Sequence, residues 1–140
     1  MAFRSLIDDL HERLAARGIR DVRPAYGFVL LAARHSPLSV GDVGVLLGTT
    51  KQAASKLVDS LEADGYVRRI ADRDDARSRR IELTRDGHRV LEAVEHIYRE
   101  LEREWADIVG ERRVESMRAD LTKILRTQND GVLPPVRPTS

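Results

Sequence analysis

The twenty residues from Gly65 to Thr84, GYVRRIADRDDARSRRIELT, constrain this chain more than any other stretch. Gly65 closes a helical pattern, as glycine commonly does just past a helix C-terminus. Tyr66-Val67-Arg68-Arg69-Ile70 reads as a strand, and Arg79, Arg80, Ile81 and Leu83 lie on its return. Between them, Asp72 to Arg77 is polar and Asp-rich, and Asp side chains favour turns by bonding to nearby backbone. Thr84 stands where an N-cap belongs, because its hydroxyl can accept from an orphan N–H of the next helix. The stretch therefore predicts a β-hairpin between two helices, with guanidinium groups carried outward on its tip.

The rest of the chain reads as helices. Phe3, Leu6, Ile7, Leu10 and Leu14 recur at helical spacing and predict a first helix over about Ala2–Ala16, ended by Gly18. A second follows Asp21, with Pro24 in its first turn, carries Tyr26, Val29, Leu30 and Ala33 on one side, and stops at His35-Ser36-Pro37. Ser39 caps a short helix that buries Val40, Val43, Leu46 and Leu47 and breaks at Gly48. Thr49 is expected to open the next helix, with Gln52 at capping-box spacing, and that helix runs to Asp64. After the hairpin come a long helix, about Arg85–Val109, and a last one, about Glu111–Thr127. The predicted fold is mainly α with a small β-hairpin (α+β).

The first, long and last helices each carry an apolar stripe that must be covered. Pairing with a second copy covers them economically, and Phe3, Leu6, Leu10, Leu121, Ile124 and Leu125 are the expected contacts. A self-covering helical bundle is the alternative. Residues 1–20 and 88–127 thus form an expected dimerisation region around a lobe at 21–87, with a flexible Pro-rich tail at 128–140.

Charge placement matters more than total charge. The net charge of the 140 residues is only +1, well short of a non-specific nucleic-acid binder. Yet Tyr66–Thr84 holds six arginines (68, 69, 73, 77, 79 and 80) against four acids (Asp72, Asp74, Asp75 and Glu82). Cysteine is absent, which removes disulfides and thiolate metal sites. The N-terminus lacks a signal-peptide apolar core, and the longest apolar run, Phe28–Ala33, cannot span a bilayer. A cytoplasmic protein without membrane contact is expected.

On the helix that ends at Asp64, Ala54, Leu57, Val58 and Leu61 share one side. Thr50, Lys51, Gln52, Ser55 and Lys56 lie elsewhere, toward the N-terminal end that a recognition helix presents to base edges. Gln can pair bidentately with adenine, and Lys can reach guanine or phosphate. A plain solvated face would look the same in isolation. A short helix, a tight turn, a second helix and a basic hairpin in immediate succession do not.

Those residues resemble the winged helix-turn-helix of the MarR family of transcriptional regulators. The resemblance rests on Leu57-Val58-Asp59-Ser60-Leu61-Glu62-Ala63-Asp64-Gly65-Tyr66-Val67, on Arg69, on Asp72-x-x-Asp75-x-Arg77, and on Leu83-Thr84-x-x-Gly87. It implies a homodimer with interlocked terminal helices and two recognition helices on a pseudo-palindromic double-stranded DNA operator. It implies that Arg77 enters the minor groove and that Asp75 braces it through an ion pair. A narrow minor groove concentrates negative potential and attracts Arg. Arg73 and Arg79 are the expected phosphate contacts. The resemblance further implies a regulator, more often a repressor, that a small aromatic or phenolic effector can release. Tyr26, Phe28, His35 and Trp105 are candidates to line such a cleft, with core positions as the alternative reading.

Other chemistry is weakly signalled. His88, Glu92, Glu95 and His96 fall on one helical face, for which ion pairs such as Glu95 with Arg99 account better than a metal. No catalytic residue, metal or cofactor is expected, and four scattered histidines support no triad. A winged-helix module that binds protein rather than an operator is the competing function.

Overall fold

The computed structural model describes residues 2–132, with side chains from Arg4 onward. Six helices and three short strands follow in the order α1 (Ala2–Ala16), α2 (Pro24–Ala33), β1 (Leu38–Ser39), α3 (Val40–Leu47), α4 (Lys51–Ala63), β2 (Val67–Ala71), β3 (Arg79–Leu83), α5 (Arg85–Val109) and α6 (Glu111–Gln128). The boundaries are set by identifiable residues. Pro24 opens α2, where its missing N–H costs nothing. Ser39 and Asp42 make a reciprocal capping box at α3, and Gly48 ends that helix with φ 60°. The cap of α4 differs from expectation: Thr50, not Thr49, accepts from the Ala53 N–H. Alanine at that third helical position cannot reciprocate, so the expected box with Gln52 is absent.

The sheet is also larger than a hairpin. Its order is β1-β3-β2, all antiparallel, with Leu38 opposite Ile81 and Ser39 opposite Arg80. The predicted strand pair holds in the register Val67↔Leu83 through Ala71↔Arg79. Val67, Ile81 and Leu83 turn inward, and the alternate positions turn out.

The core centres on α2, whose Tyr26, Val29, Leu30 and Ala33 are all buried. Around it pack Val43 and Leu47 of α3, Ala54, Val58 and Leu61 of α4, the inward sheet residues, and Val90, Val94, Ile97 and Leu101 of α5. Each buried aliphatic side chain contributes about 1.5–3 kcal/mol, so α4 and the hairpin rest on a stiff platform. α1 closes one side through Leu10 and Leu14 and pairs its charges with α5: Arg17 lies 2.8 Å from Glu100, and Arg13 lies 2.9 Å from Glu104. Leu10 is 6% exposed and Leu6 packs against the same core. Both were expected at a subunit contact; the protomer already covers Leu10 and partly covers Leu6. The side chain of Phe3 lies outside the described residues.

α6 behaves differently. Val114 is its one buried residue, whereas Leu121, Ile124 and Leu125 are 61%, 50% and 40% exposed. Helix α6 continues through Gln128, one residue into the expected tail, and residues 133–140 lie outside those described.

Candidate nucleic-acid interface

The N-terminal end of α4 stands free of the core. Lys51, Gln52 and Lys56 are exposed, Ser55 is half-buried, and Thr50 spends its oxygen lone pair on the helix cap. One turn further, Asp59 and Glu62 point to the hairpin, where Arg69 binds both; the Arg69–Asp59 contact is 2.5 Å. Asp59 is thereby neutralised within the protein.

The hairpin base is tied on every side. Arg68 and Glu82 face each other across the strands at 2.5 Å. Arg80 donates to Asp72 at 2.7 Å and to the Pro37 carbonyl at 3.2 Å, and its guanidinium also faces Asp42. It thereby joins the tip, the β1 approach and α3. The Asp72 carboxyl is held below the usual carboxylate range, chiefly by its hydrogen bond from Arg80 and then by the Asp74 N–H.

The exit of the hairpin gives the Leu83-Thr84-x-x-Gly87 spacing its physical sense. Thr84 Oγ1 donates to the Gly65 carbonyl (2.5 Å) and accepts from the Gly87 N–H (3.1 Å), while its backbone N–H donates to the Tyr66 carbonyl (3.1 Å). A Cβ at position 87 would overlap that Tyr66 carbonyl oxygen, so only glycine lets α5 approach. Neither Arg80 nor Gly87 was singled out as a positioning residue from sequence. The glycine spacing was the available signal for the second; no signal pointed to the first.

The tip is built from two Asp turns. Asp72 Oδ1 accepts from the Asp74 N–H, and Asp75 Oδ1 accepts from the Arg77 N–H, each at 3.0 Å. The expected ion pair between Asp75 and the Arg77 guanidinium is therefore replaced by a backbone contact. An Asp two residues ahead closes a turn on the backbone more readily than it reaches a long side chain. Arg73, Arg77 and Arg79 are exposed and, among the described residues, have no carboxylate partner.

A free helix end flanked by an arginine-tipped hairpin is the geometry of the winged helix-turn-helix, and the comparisons agree. The sequence model of the MarR family matches residues 21–78. The chain is 30% identical to the transcriptional regulator BldR from Sulfolobus solfataricus, over 90% of this chain and 88% of that one, with a TM-score of 0.67. It belongs to the MarR family. A point mutant of MepR from S. aureus, solved bound to an oligodeoxyribonucleotide, aligns at 26% identity over 92% of this chain and 94% of that one, with a TM-score of 0.62. The exopolysaccharide II synthesis transcriptional activator ExpG of Rhizobium meliloti is 38% identical over 84 residues, 58% of this chain and 42% of ExpG. The match thus spans less than half of that curated relative. These relatives are named as regulators of transcription, not as enzymes.

The four candidate cleft residues of this MarR-family chain are not brought together. Tyr26 lines a cleft of about 770 Å³ between α1, the α1–α2 loop and the end of α4, with His11, Arg20, Asp21 and Asp64. Its hydroxyl donates to Asp64, the C-cap of α4, at 2.8 Å. Burial, then that bond, pushes the phenol up to about 12. Phe28 packs against the core, and His35 and Trp105 are exposed elsewhere. On α5, Glu95 pairs with Arg34, just past the end of α2, at 2.6 Å rather than with Arg99, and His96 lies 3.0 Å from Glu100. Among the described residues no cluster of acids and histidines is arranged to hold a metal, and no helix is long and apolar enough to cross a membrane.

Proposed function

We propose that this MarR-family protein is a cytoplasmic transcriptional regulator that binds a pseudo-palindromic operator on double-stranded DNA as a homodimer. The observation that carries the reading is the set of guanidinium groups at Arg73, Arg77 and Arg79, which have no carboxylate partner among the described residues, beside the free end of α4. Lys51 and Gln52 read the major groove, Thr50, Ser55 and Lys56 contact the DNA beside them, Arg77 enters the minor groove, and Arg73 and Arg79 meet phosphates. Residues 21–87 are the reading lobe. The exposed stripe of Leu121, Ile124 and Leu125 on α6 is the surface a second copy covers, placing two α4 helices about one turn of DNA apart, roughly 34–36 Å. Occupancy of an operator that overlaps a promoter gives repression. A small aromatic or phenolic effector in the cleft beside Tyr26 releases the DNA by favouring a dimer with the wrong half-site spacing.

Selection of bound duplexes from a random pool tests the reading. It should enrich a motif of two inverted half-sites centred about one helical turn apart. A pool without an enriched motif, or a chain that sediments as a monomer at working concentration, rejects it.

A further inference from the structure

We propose that Arg23 and Lys56 form a seat for a DNA backbone phosphate on the flank of α4 that faces the start of α2. The inference rests on the DNA-binding reading above and adds to it Arg23, which the sequence pattern did not single out.

A groove of about 700 Å³ runs between the start of α2, the α3–α4 turn and α4, and Arg23, Pro24, Gly48, Thr49, Lys56 and Ser60 are among its lining residues. Its charged lining consists of two cations and no carboxylate. Arg23 also borders the neighbouring cleft beside Tyr26, where Arg20 stands with Asp21 and Asp64, but among the described residues no ion pair ties Arg23 to either carboxylate. A groove with uncancelled positive charge favours an anion. Arg23 is exposed and, among the described residues, has no ion-pair partner. Its backbone is nevertheless well placed, because Pro24 fixes the start of α2 and Ala25 is buried.

The position on α4 gives the seat its purpose. Lys56 and Ser60 line the groove toward α2, whereas Asp59 and Glu62 are held toward the wing by Arg69. A helix in the major groove lies between two sugar–phosphate backbones. The wing arginines serve one of them. Toward the other, Arg23 offers a planar fork suited to two phosphate oxygens, and Lys56 offers a point charge in the same groove. Such contacts fix the register of a recognition helix without reading sequence.

The salt dependence of binding tests the seat. Affinities for the pool-selected duplex and for a random-sequence duplex are measured against salt for the full-length protein, Arg23→Gln, Arg23→Lys and Arg20→Gln. The expected result is that Arg23→Gln lowers the slope of log affinity against log salt by about 0.9 for each protomer on the duplex. The loss should be equal on both duplexes, while Arg23→Lys keeps the slope and Arg20→Gln leaves it unchanged. An unaltered slope for Arg23→Gln overturns the seat even if affinity falls, and then assigns the groove to packing or to an uncharged guest. A parent protein with no salt-dependent binding to either duplex overturns the DNA-binding reading and the seat together.

Discussion

The base and the tip of the wing are made from the same residue type and put it to opposite uses. At the base, Arg68, Arg69 and Arg80 each engage one or two carboxylates drawn from β3, α4, α3 and the start of the tip. At the tip, Arg73 and Arg77 have none among the described residues, and neither does Arg79 where β3 begins. Arginine content alone therefore does not measure affinity for DNA. Base arginines tie the wing to α3 and α4, and the tip arginines keep a charge that the proposed DNA contact uses. A net charge of +1 is compatible with a DNA-binding surface for this reason, since much of the basic charge is cancelled internally.

The contrast breaks most visibly at Gly87. Gly87→Ala drives a methyl group into the Tyr66 carbonyl, backbone against backbone, where no side chain can swing aside. Strain of this kind costs about 3 kcal/mol or more, and the melting temperature should fall by roughly 10 °C. A melting curve that superimposes on the parent's would show that α5 does not hold the wing as described. Next in size is Arg77→Ala. It should reduce operator affinity about tenfold to a hundredfold, the scale of one good groove contact, and lower the salt slope while leaving dimerisation and melting unchanged. Arg69→Ala is the matched opposite: about 1 kcal/mol of stability lost with its two ion pairs, and an unchanged salt slope. If the two variants behaved alike, base and tip would not be distinct.

Much of the scaffold was legible because punctuation residues act locally. Gly18, Pro24, Ser39, Gly48, Gly65 and Thr84 each sit where a short-range rule places a stop or a cap, and the structure uses them so. Apart from the cap of α4, which was a local ambiguity, the misses have a common origin in longer range. Two adjacent threonines left the cap of α4 one residue out. Strand β1 is two residues long and exists only because Leu38 and Ser39 meet Ile81 and Arg80 from across the fold. Alternation along β2 and β3 told that the arginines face different ways, but which acid each meets depends on sheet register and on side chains from α3 and α4. Arg80, which reaches Pro37 and Asp72 at once, could not be separated from Arg79 by pattern. The same holds for Leu10 and Leu121. Both lie on apolar helical stripes, yet one is buried in the protomer and the other is exposed, because α1 packs its stripe into the core beside α5 while α6 buries only Val114.

The smallest expected effect lies where tip and base join. Asp72 closes the first turn of the tip through the Asp74 N–H and receives Arg80 from the base, and these bonds hold its carboxyl below the ordinary carboxylate value. A depressed native value means that the stabilisation is complete above the unfolded-state value, near pH 4. It is then lost as pH falls through the lower native value. Acid should therefore loosen the tip before it melts the core. Hydrogen exchange at the Asp74 and Asp72 amides, whose acceptors are Asp72 Oδ1 and the Ser78 carbonyl, reports this directly. Asp72→Asn keeps an oxygen for the Asp74 amide but removes the charge that Arg80 seeks, so its tip amides should exchange faster near neutrality and lose their acid dependence. Equal acid dependence in the two proteins would move the pH sensitivity to some other carboxylate and leave Arg80 without its role as the strut between wing and α3.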